Sequence, residues 1–511
     1  MPIEFHRDGP WDIPEGWVWA RLGHLGRWTG GGTPSKSNRA FWTSGTIPWV
    51  SPKDMKVDVI GDTEDFITSD AVVNSATKLV DENSILMVVR SGILKHTFPV
   101  ALSDRDVTIN QDMRALTPLD GIEARYLAFA LRRLQRHILD ECSKDGTTVA
   151  SVEPALLEQV WVPIPPTAEQ QRIVARIDEL FTEIADGETT LTRARDDLET
   201  WRRALLKAAV TGELTREWRE HSKPNETGED VVERLRQAIA QAFGAVARFG
   251  RRMTVEDQIE VDVANLPELP PGWCWSRIGE IGHVSGGLTK NPARAEIDRK
   301  LPFLRVANVQ YGDLDLTEMH EIGVSNSELD RVLLQQNDLL IVEGNGSVDQ
   351  IGRCAIWTGE IVPCVHQNHL IKARFVDAEI AQWAYHWLMS PHGRQLVTTV
   401  ASSTSGLHTL SISKIQAIPV PVPPFIEIVE ILKVLSAETD AEGTIETELS
   451  TGSKTIDPLR QAILKAAFEG RLVEQDRSEE PADCLLARLN ECPPQARNRA
   501  RRSRSIVEAN A

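Results

Sequence analysis

The stretch VPIPPTAEQQRIVARIDELF, residues 162–181, decides how this chain is built, because its opening is written again in VPVPPFIEIVEILKVL, residues 420–435. Both read Val-Pro-aliphatic-Pro-Pro, and both then change to a helical pattern. Proline has no N–H to give a ladder and so ends a strand. In the first copy Thr167 stands where an N-cap would stand, with Gln170 three residues on, the spacing of a capping box. Phe425 takes that place in the second copy, so no such cap is expected there.

Working outward, more of the chain recurs in the same order. IPEGWVWARLGHLGRWTGG (13–31) matches LPPGWCWSRIGEIGHVSGG (269–287), with Pro14, Gly16, Trp17, Trp19, Arg21, Gly23, Gly26, Gly30 and Gly31 all repeated. NSILMVVRSG (83–92) matches NDLLIVEGNG (337–346), and LLKAAVTGEL (205–214) matches ILKAAFEGRL (463–472). NQD (110–112) aligns with HQN (366–368). The spacing between matched segments drifts by only a few residues, the mark of a whole-domain duplication.

Each copy has two parts. The first is mixed: short apolar runs such as SILMVV and LLIV read as buried strands between Gly- and Pro-rich turns, and 124–139 reads as a helix. The second is one long helix with a heptad pattern. Its first copy places Ile177, Ile184, Leu191, Leu198 and Leu205 on one seam position and Ile173, Leu180, Gly187, Ala194, Trp201 and Ala208 on the other. Its second places Leu435, Leu449, Ile456 and Ile463 against Ile431, Ile445, Gly452, Leu459 and Ala466. Small residues on the seam would permit close approach, and Asp457-Pro458 would restart the second helix after a kink. So long an apolar stripe needs a partner, and the duplicate is the simplest one. The expected fold is α+β: two mixed α/β domains held apart by two long antiparallel coiled-coil helices, a tandem repeat with pseudo-two-fold symmetry. The expected limits are 1–164 for the first mixed domain, 165–215 for the central helix and 216–262 for a helical linker. The second mixed domain then takes 263–422, the distal helix 423–475 and a tail with a basic run 476–511.

The bulk numbers agree with a multidomain soluble protein: 511 residues, 41% hydrophobic and 25% charged. No apolar run reaches the ~20 residues of a membrane helix, the N-terminus lacks a signal-peptide core, and six scattered cysteines form no CxxC, so a reducing cytoplasm is expected. A net charge of −18 argues against a protein that clamps DNA by itself. The one dense basic run, RNRARRSRS (497–505), reads first as a solvated tail.

Active-site signatures are missing. VPPF (422–425) lacks the Asn or Asp that a base-holding amino-methyltransferase loop needs, and Val422 cannot accept that hydrogen bond. There is no GxxxxGK[ST] phosphate loop, and EGNGSVDQIG (343–352) lacks GxGxxG spacing. The twelve histidines show no metal-binding spacing. No catalytic residue, cofactor or metal is therefore expected in this chain.

Taken in order, GGGTPSKSNRAFWTSGTIPWVSPKDM (30–55), IPPTAEQQRIVARIDEL (164–180), LLKAAVTGELTREWRE (205–220) with its partial repeat, and TGEDVVERLRQAIA (227–240) resemble the specificity subunits of Type I restriction–modification systems, from about Trp11 to about Leu489. The resemblance implies a non-catalytic subunit whose two target recognition domains each read one half of a split double-stranded DNA sequence. The long helices would set the spacer and dock two modification subunits, which methylate adenine N6, and two motor-nuclease subunits would join them. S-adenosylmethionine, ATP and Mg would sit on those partners. Two rival readings stay open: a specificity subunit of a related modification system, and a duplicated coiled-coil scaffold with no role on DNA.

DNA readers need Arg, Lys, Asn, Gln and Ser on loops that reach base edges and phosphates. In the first copy these are Thr33, Ser35, Lys36 and Asn38; Lys53 and Asp54; Arg90 and Ser91; Asn110, Gln111 and Asp112; and Lys144, Thr147 and Thr148. In the second they are Thr289, Lys290 and Asn291; Arg305 and Asn308; Asn345 and Ser347; His366, Gln367 and Asn368; and Ser403, Thr404 and Ser405. Matched places differ, Arg90 against Gly344 and Asp112 against Asn368, so the half-sites should differ. The doubled GWxWxRxG could be an aromatic stacking platform, but a core role for its tryptophans is favoured.

Overall fold

The computed structural model describes residues 2–144, 149–244, 266–345, 347, 350–404 and 407–491. The chain divides into two compact units, residues 1–191 with 451–511, and residues 192–450. Among the described residues no helix is long and apolar enough to cross a membrane.

In the first unit, strand Val18–Arg21 pairs antiparallel with Trp161–Ile164 and with Phe5–His6. A five-stranded sheet runs in the order Gly26–Gly30, Met113–Pro118, Ile85–Val88, Val100–Ser103, Val59–Ile60. A four-stranded sheet runs Phe66–Ile67, Ile47–Val50, Val107–Ile109, Leu79–Val80. The central strand is apolar throughout because both its faces are covered. Ile85 and Met87 join the core that holds Tyr126, Leu127 and Ala130 of helix Ala124–Arg133. Leu86 points the other way, into a core with Val50, Val107 and Ile109.

The second unit repeats the plan. Cys274–Arg277 pairs with Pro419–Val422. One sheet runs His283–Gly286, Leu370–Arg374, Leu339–Val342, Cys354–Ile356, and another His320–Gly323, Lys300–Leu304, Val365–His366. Leu339 and Ile341 face helix Ala378–Met389, while Leu340 and Val342 face the opposite core.

Two helices of 44 residues each, Thr167–Val210 and Phe425–Phe468, are about 66 Å long at ~1.5 Å per residue. Within the first unit the beginning of one lies on the end of the other. Ile173, Val174, Ile177 and Ile184 share a core with Ile463, Leu464, Ala467 and Phe468, Arg460 Nη2 lies 2.7 Å from Glu188 Oε2, and Leu191 packs at Gly452. Within the second unit Ala209 and Val210 share a core with Ile428, Ile431, Leu432 and Leu435, and Arg202 pairs with Glu442. In each unit the pairing is antiparallel. Both helices end on a glycine in the left-handed region, Gly212 at φ 72° and Gly470 at φ 67°, the usual stop residue.

Four positions depart from the heptad reading. Ile445 (45%) and Leu459 (49%) are exposed, as is Trp201, and Gly187 faces open space. A straight helix drifts ~20° per heptad against a strict seven-residue repeat, which carries such positions off the seam. The second helix is continuous through Pro458 and does not restart there. The Thr167 hydroxyl donates to the Gly121 carbonyl (3.0 Å) instead of capping, and the buried Gln170 amide accepts from Glu123 N (2.8 Å).

Three of the four duplicated tryptophans are core residues, and the fourth, Trp275, packs half-buried against the core of the second unit. Trp17 and Trp19 are buried, and so is Trp273. Trp17 Nε1 donates to Glu169 Oε2 (3.0 Å), and Trp273 Nε1 donates to Glu427 Oε2 (2.9 Å). Each ties the start of a mixed domain to a buried carboxylate in the first turn of a long helix.

The segments read as linker and tail are structural parts instead. Helix Gly228–Phe243 buries Val231, Val232 and Leu235 in the second unit. Helix Ala482–Glu491 buries Ala482, Leu485 and Leu486 in the first. Gly228 N donates to the Gly272 carbonyl (2.8 Å) and Ala482 N to the Gly16 carbonyl (2.9 Å), so the two helices are repeats of one another. The basic run 497–505 lies outside the described residues.

Candidate nucleic-acid interface

In the first unit, strand Gly26–Gly30 runs out into Gly31-Gly32-Thr33. A Cβ on Gly31 would overlap the Asn110 carbonyl, so only glycine lets the two turns cross. Gly32 N donates to the Ile109 carbonyl (2.8 Å), and the Thr33 hydroxyl donates to Gln111 Oε1. The Asp112 carbonyl accepts from Val89 N (2.9 Å) and Arg90 N (3.1 Å), and Ser91 N donates to the Ala150 carbonyl (3.1 Å). Arg90 also bridges to Ser151, in the hairpin Ser143–Lys144 with Ser151–Val152. Strand ends far apart in sequence thus bring Thr33, Gln111, Asp112, Arg90, Ser91 and Lys144 into one cluster, where Gln111, Arg90 and Lys144 are exposed. Thr147 and Thr148 fall outside the described residues.

Ser35, Lys36 and Asn38 are exposed on the turn that follows. Trp42 Nε1 donates to the Ser35 carbonyl (3.2 Å), Asn38 Oδ1 accepts from Ala40 N (3.2 Å), and Lys36 Nζ lies 5.9 Å from the Trp42 ring. Lys53 is exposed beside Glu64 (3.6 Å). Two candidates have other work. Asp54 accepts from Ser51 N, Ser51 Oγ (both 2.8 Å) and Glu64 N (3.1 Å), so both carboxylate oxygens close a turn. Asn110 is buried, and its Oδ1 accepts from Asp112 N (3.0 Å).

The second unit assembles the same loops with other side chains. Leu288 N donates to the His366 carbonyl (2.8 Å), Gln367 N to the Leu304 carbonyl (2.9 Å), and Glu343 N to the His369 carbonyl (2.9 Å). Strand Gly344–Asn345 pairs with Leu407–Thr409, which pairs with Ser402–Thr404. Asn345, Ser403 and Thr404 therefore lie on one small sheet, Ser347 is exposed beside it, and Ser405 is outside the described residues. Lys290 is exposed. Arg294, paired with Glu328 (2.8 Å), holds this turn by donating to the Thr289 carbonyl (2.7 Å) and by giving its N–H to Asn291 Oδ1 (3.2 Å). Arg305 Nη2 donates to the Glu318 carbonyl (3.2 Å), and Gln367 Oε1 accepts from Val306 N (3.4 Å). Asn308 cannot reach a ligand. It is buried, accepts from Arg305 N (2.9 Å) and donates to the Asp315 carbonyl (2.7 Å).

The backbone bonds also correct the sequence alignment. Asn110 N donates to Val50, and Gln367 N does the same to Leu304. Val89 N donates to Asp112, and Glu343 N to His369. The matched residues are therefore Asn110 with Gln367, Gln111 with Asn368, and Asp112 with His369, one residue away from the alignment of NQD with HQN. A one-residue slip exchanges inward and outward side chains. His366 accordingly matches Ile109 and is a core residue: it is fully buried, its Nδ1 lies 2.9 Å from the Leu370 carbonyl, and burial, with Lys372 nearby, holds its pKa down at about 3. The slip had hidden His369, whose side chain is exposed on the loop with Nδ1 2.9 Å from Glu343 Oε2.

Residues 14–192 match the sequence model of the family described as "Type I restriction modification DNA specificity domain". The chain is similar to the EcoR124I/EcoR124II specificity subunit of Escherichia coli, 43% identical over 179 residues, 35% of this chain and 44% of that one. It is also similar to the EcoKI specificity subunit of Escherichia coli strain K12, 26% identical over 341 residues, 66% of this chain and 63% of that one. The matches thus span about half to two thirds of these relatives' lengths. Among solved structures, a chain from work on complex assembly and conformational transition of the type I R-M system shares the fold, with TM-score 0.62 and 17% identity over 90% of this chain and all of that one. With its duplicated mixed domains and paired long helices, this chain is similar over residues 14–192 to the type I restriction specificity domain, and shares its fold with a chain of a type I R-M system.

Proposed function

We propose that this chain is the non-catalytic, sequence-reading subunit of a type I restriction–modification complex, and that each unit reads one half of a bipartite double-stranded DNA target. One observation carries the reading: the same crossing of glycine turn, strand-end turn and hairpin is built twice, with different exposed side chains at matched places. A conserved scaffold with variable loop chemistry is what two readers of unlike half-sites need. Base contacts fall to exposed Arg90 and Gln111 and to half-buried Asn368. Exposed lysines such as Lys36, Lys53 and Lys290 neutralise phosphates.

The rest of the complex supplies what the chain lacks. Two modification subunits carry S-adenosylmethionine and methylate adenine N6, and two motor-nuclease subunits use ATP and Mg. The assembly works in the cytoplasm. A chain with net charge −18 relies on those partners for much of the phosphate neutralisation. Deleting the gene and mapping adenine methylation across the genome tests this reading. One bipartite motif should lose its methylation. Loss of none would support the scaffold reading instead.

A further inference from the structure

We propose that His369, held by Glu343, is a specificity-determining residue of the second unit, contacting a base edge through its Nε2. The inference rests on the DNA-reading role proposed above and assigns one contact within it.

Three loops of the second unit meet at this pair. The Glu343 carbonyl accepts from Leu410 N (2.7 Å) beside the hairpin, and Glu343 N donates to the His369 carbonyl (2.9 Å) on the strand-end turn. The backbones of both residues are therefore fixed by neighbouring segments, while the His369 side chain keeps 56% of its exposure. The side chains are fixed as well. An ionised carboxylate only accepts, so Nδ1 at 2.9 Å from Glu343 Oε2 must carry the hydrogen. That sets the ring plane and leaves Nε2 as the outward polar atom. A neutral ring presents a lone pair there, suited to cytosine N4 or adenine N6; an imidazolium presents an N–H, suited to guanine N7 or O6.

The first unit does something different at the same place. Asp112 stands where His369 stands, and buried Val89 where Glu343 stands. Arg90 is exposed one residue on, where the second unit has Gly344. The first unit thus offers an arginine from one side of the crossing, and the second an imidazole from the other, with a carboxylate to orient it.

The test uses the full chain expressed with its own modification and restriction subunits. Adenine methylation is mapped for His369→Ala, Glu343→Ala and Glu343→Gln, and each purified variant is melted. His369→Ala should relax the choice at a single position in the half-site read by the second unit, with roughly ten-fold or more loss of discrimination there, and leave the other half-site unchanged. Glu343→Ala should relax the same position. Glu343→Gln, whose amide oxygen can still accept from Nδ1, should restore it; a merely structural role for Glu343 would not give that position-specific rescue. Should His369→Ala lower the melting temperature, His369→Gln supplies the same readout with a polar side chain of similar reach. An unchanged motif in both His369 variants would overturn the proposal. So would weakening that is uniform across sequences, which marks a phosphate contact. If the wild-type chain directs no sequence-specific methylation, the proposed function itself fails and this contact with it.

Discussion

In the first unit, Ser84 and Thr117 share a hydroxyl hydrogen bond of 2.8 Å. At the matched place in the second, Arg374 and Asp338 form an ion pair at 2.6 Å, almost wholly buried. Two residues away along the same strands, buried Ala115 is matched by buried Lys372, whose Nζ donates to the Arg331 and Leu333 carbonyls (2.8 and 3.0 Å). The helix anchors differ in the same sense. Glu427 accepts from Thr215 Oγ1 (2.7 Å), Trp273 Nε1 (2.9 Å) and Arg219 Nε and Nη2 (2.9 and 2.7 Å). Glu169 accepts from Trp17 Nε1 (3.0 Å) and Gln475 Nε2 (2.6 Å), and burial pushes its pKa up. The backbone plan is common to both units, but outside the Glu169 anchor the buried polar side chains of the first are hydroxyls and amides, whereas the second buries ionisable groups such as Asp338, Lys372 and Glu427. Duplication kept the carboxylate that receives the tryptophan and let everything around it diverge.

That contrast is breakable at the anchors. Glu427→Gln strands Arg219, and removing one partner of a buried pair costs about 3–5 kcal/mol. Glu169→Gln should cost under ~1 kcal/mol at neutral pH, because burial already disfavours that charge. Urea unfolding of the two variants should separate them; equal losses would show that the two anchors are energetically alike.

The helix pairs give the next effect. Ile177→Ala in the first unit and Leu435→Ala in the second remove buried side chains and should each cost about 2–5 kcal/mol. Ile445→Ala and Leu459→Ala, both on exposed positions, should stay within about 0.5 kcal/mol of wild type. A large loss at Leu459 would restore the strict heptad seam.

A smaller, pH-dependent difference should come from Lys372. Burial lowers its pKa to about 7, against roughly 10.4 in the unfolded chain. Between those values the unfolded state binds more protons, so stability rises with pH, by at most about 1.4 kcal/mol per pH unit. Below about pH 7 both states are protonated and this contribution is flat. Lys372→Met should remove the rise, and Ala115 gives the first unit no counterpart. Unfolding at pH 7, 8 and 9 checks it; identical slopes in wild type and variant would contradict it.

A small stability effect belongs to the proposed phosphate contacts. Lys53→Ala breaks only an exposed pair with Glu64 and should change stability by under ~1 kcal/mol. DNA binding by the assembled complex should weaken evenly over sequences, with the salt slope falling by about one. An unchanged salt slope would remove Lys53 from the interface.

Much of this architecture was legible in the sequence because its signals are local and doubled. Pro165 and Pro166 before a helix, the glycine after KAAV and KAAF, and the apolar runs at 85–88 and 339–342 each act within a few residues. The tryptophans were readable as core, but their partners, Glu169 and Glu427, were not, since a glutamate in a first helical turn reads as a solvated residue that favours the helix dipole. Hydrophobic repeats cannot show where a long helix drifts off its seam, which is why Ile445 and Leu459 were misplaced. The candidate site was less legible. Polar type alone does not distinguish Gln111, exposed on its turn, from Asn110 beside it, which is spent on a backbone N–H. His369 was hidden by a one-residue slip that only the ladder of backbone hydrogen bonds resolves.

Under the proposed function, each unit should read one half-site independently. The most direct measurement replaces residues 263–422 with the equivalent domain of another specificity subunit and maps adenine methylation in cells carrying the complex. Independent reading by the two units predicts a motif in which one half-site changes and the other is retained. A motif altered in both halves, or in neither while methylation persists, would contradict it.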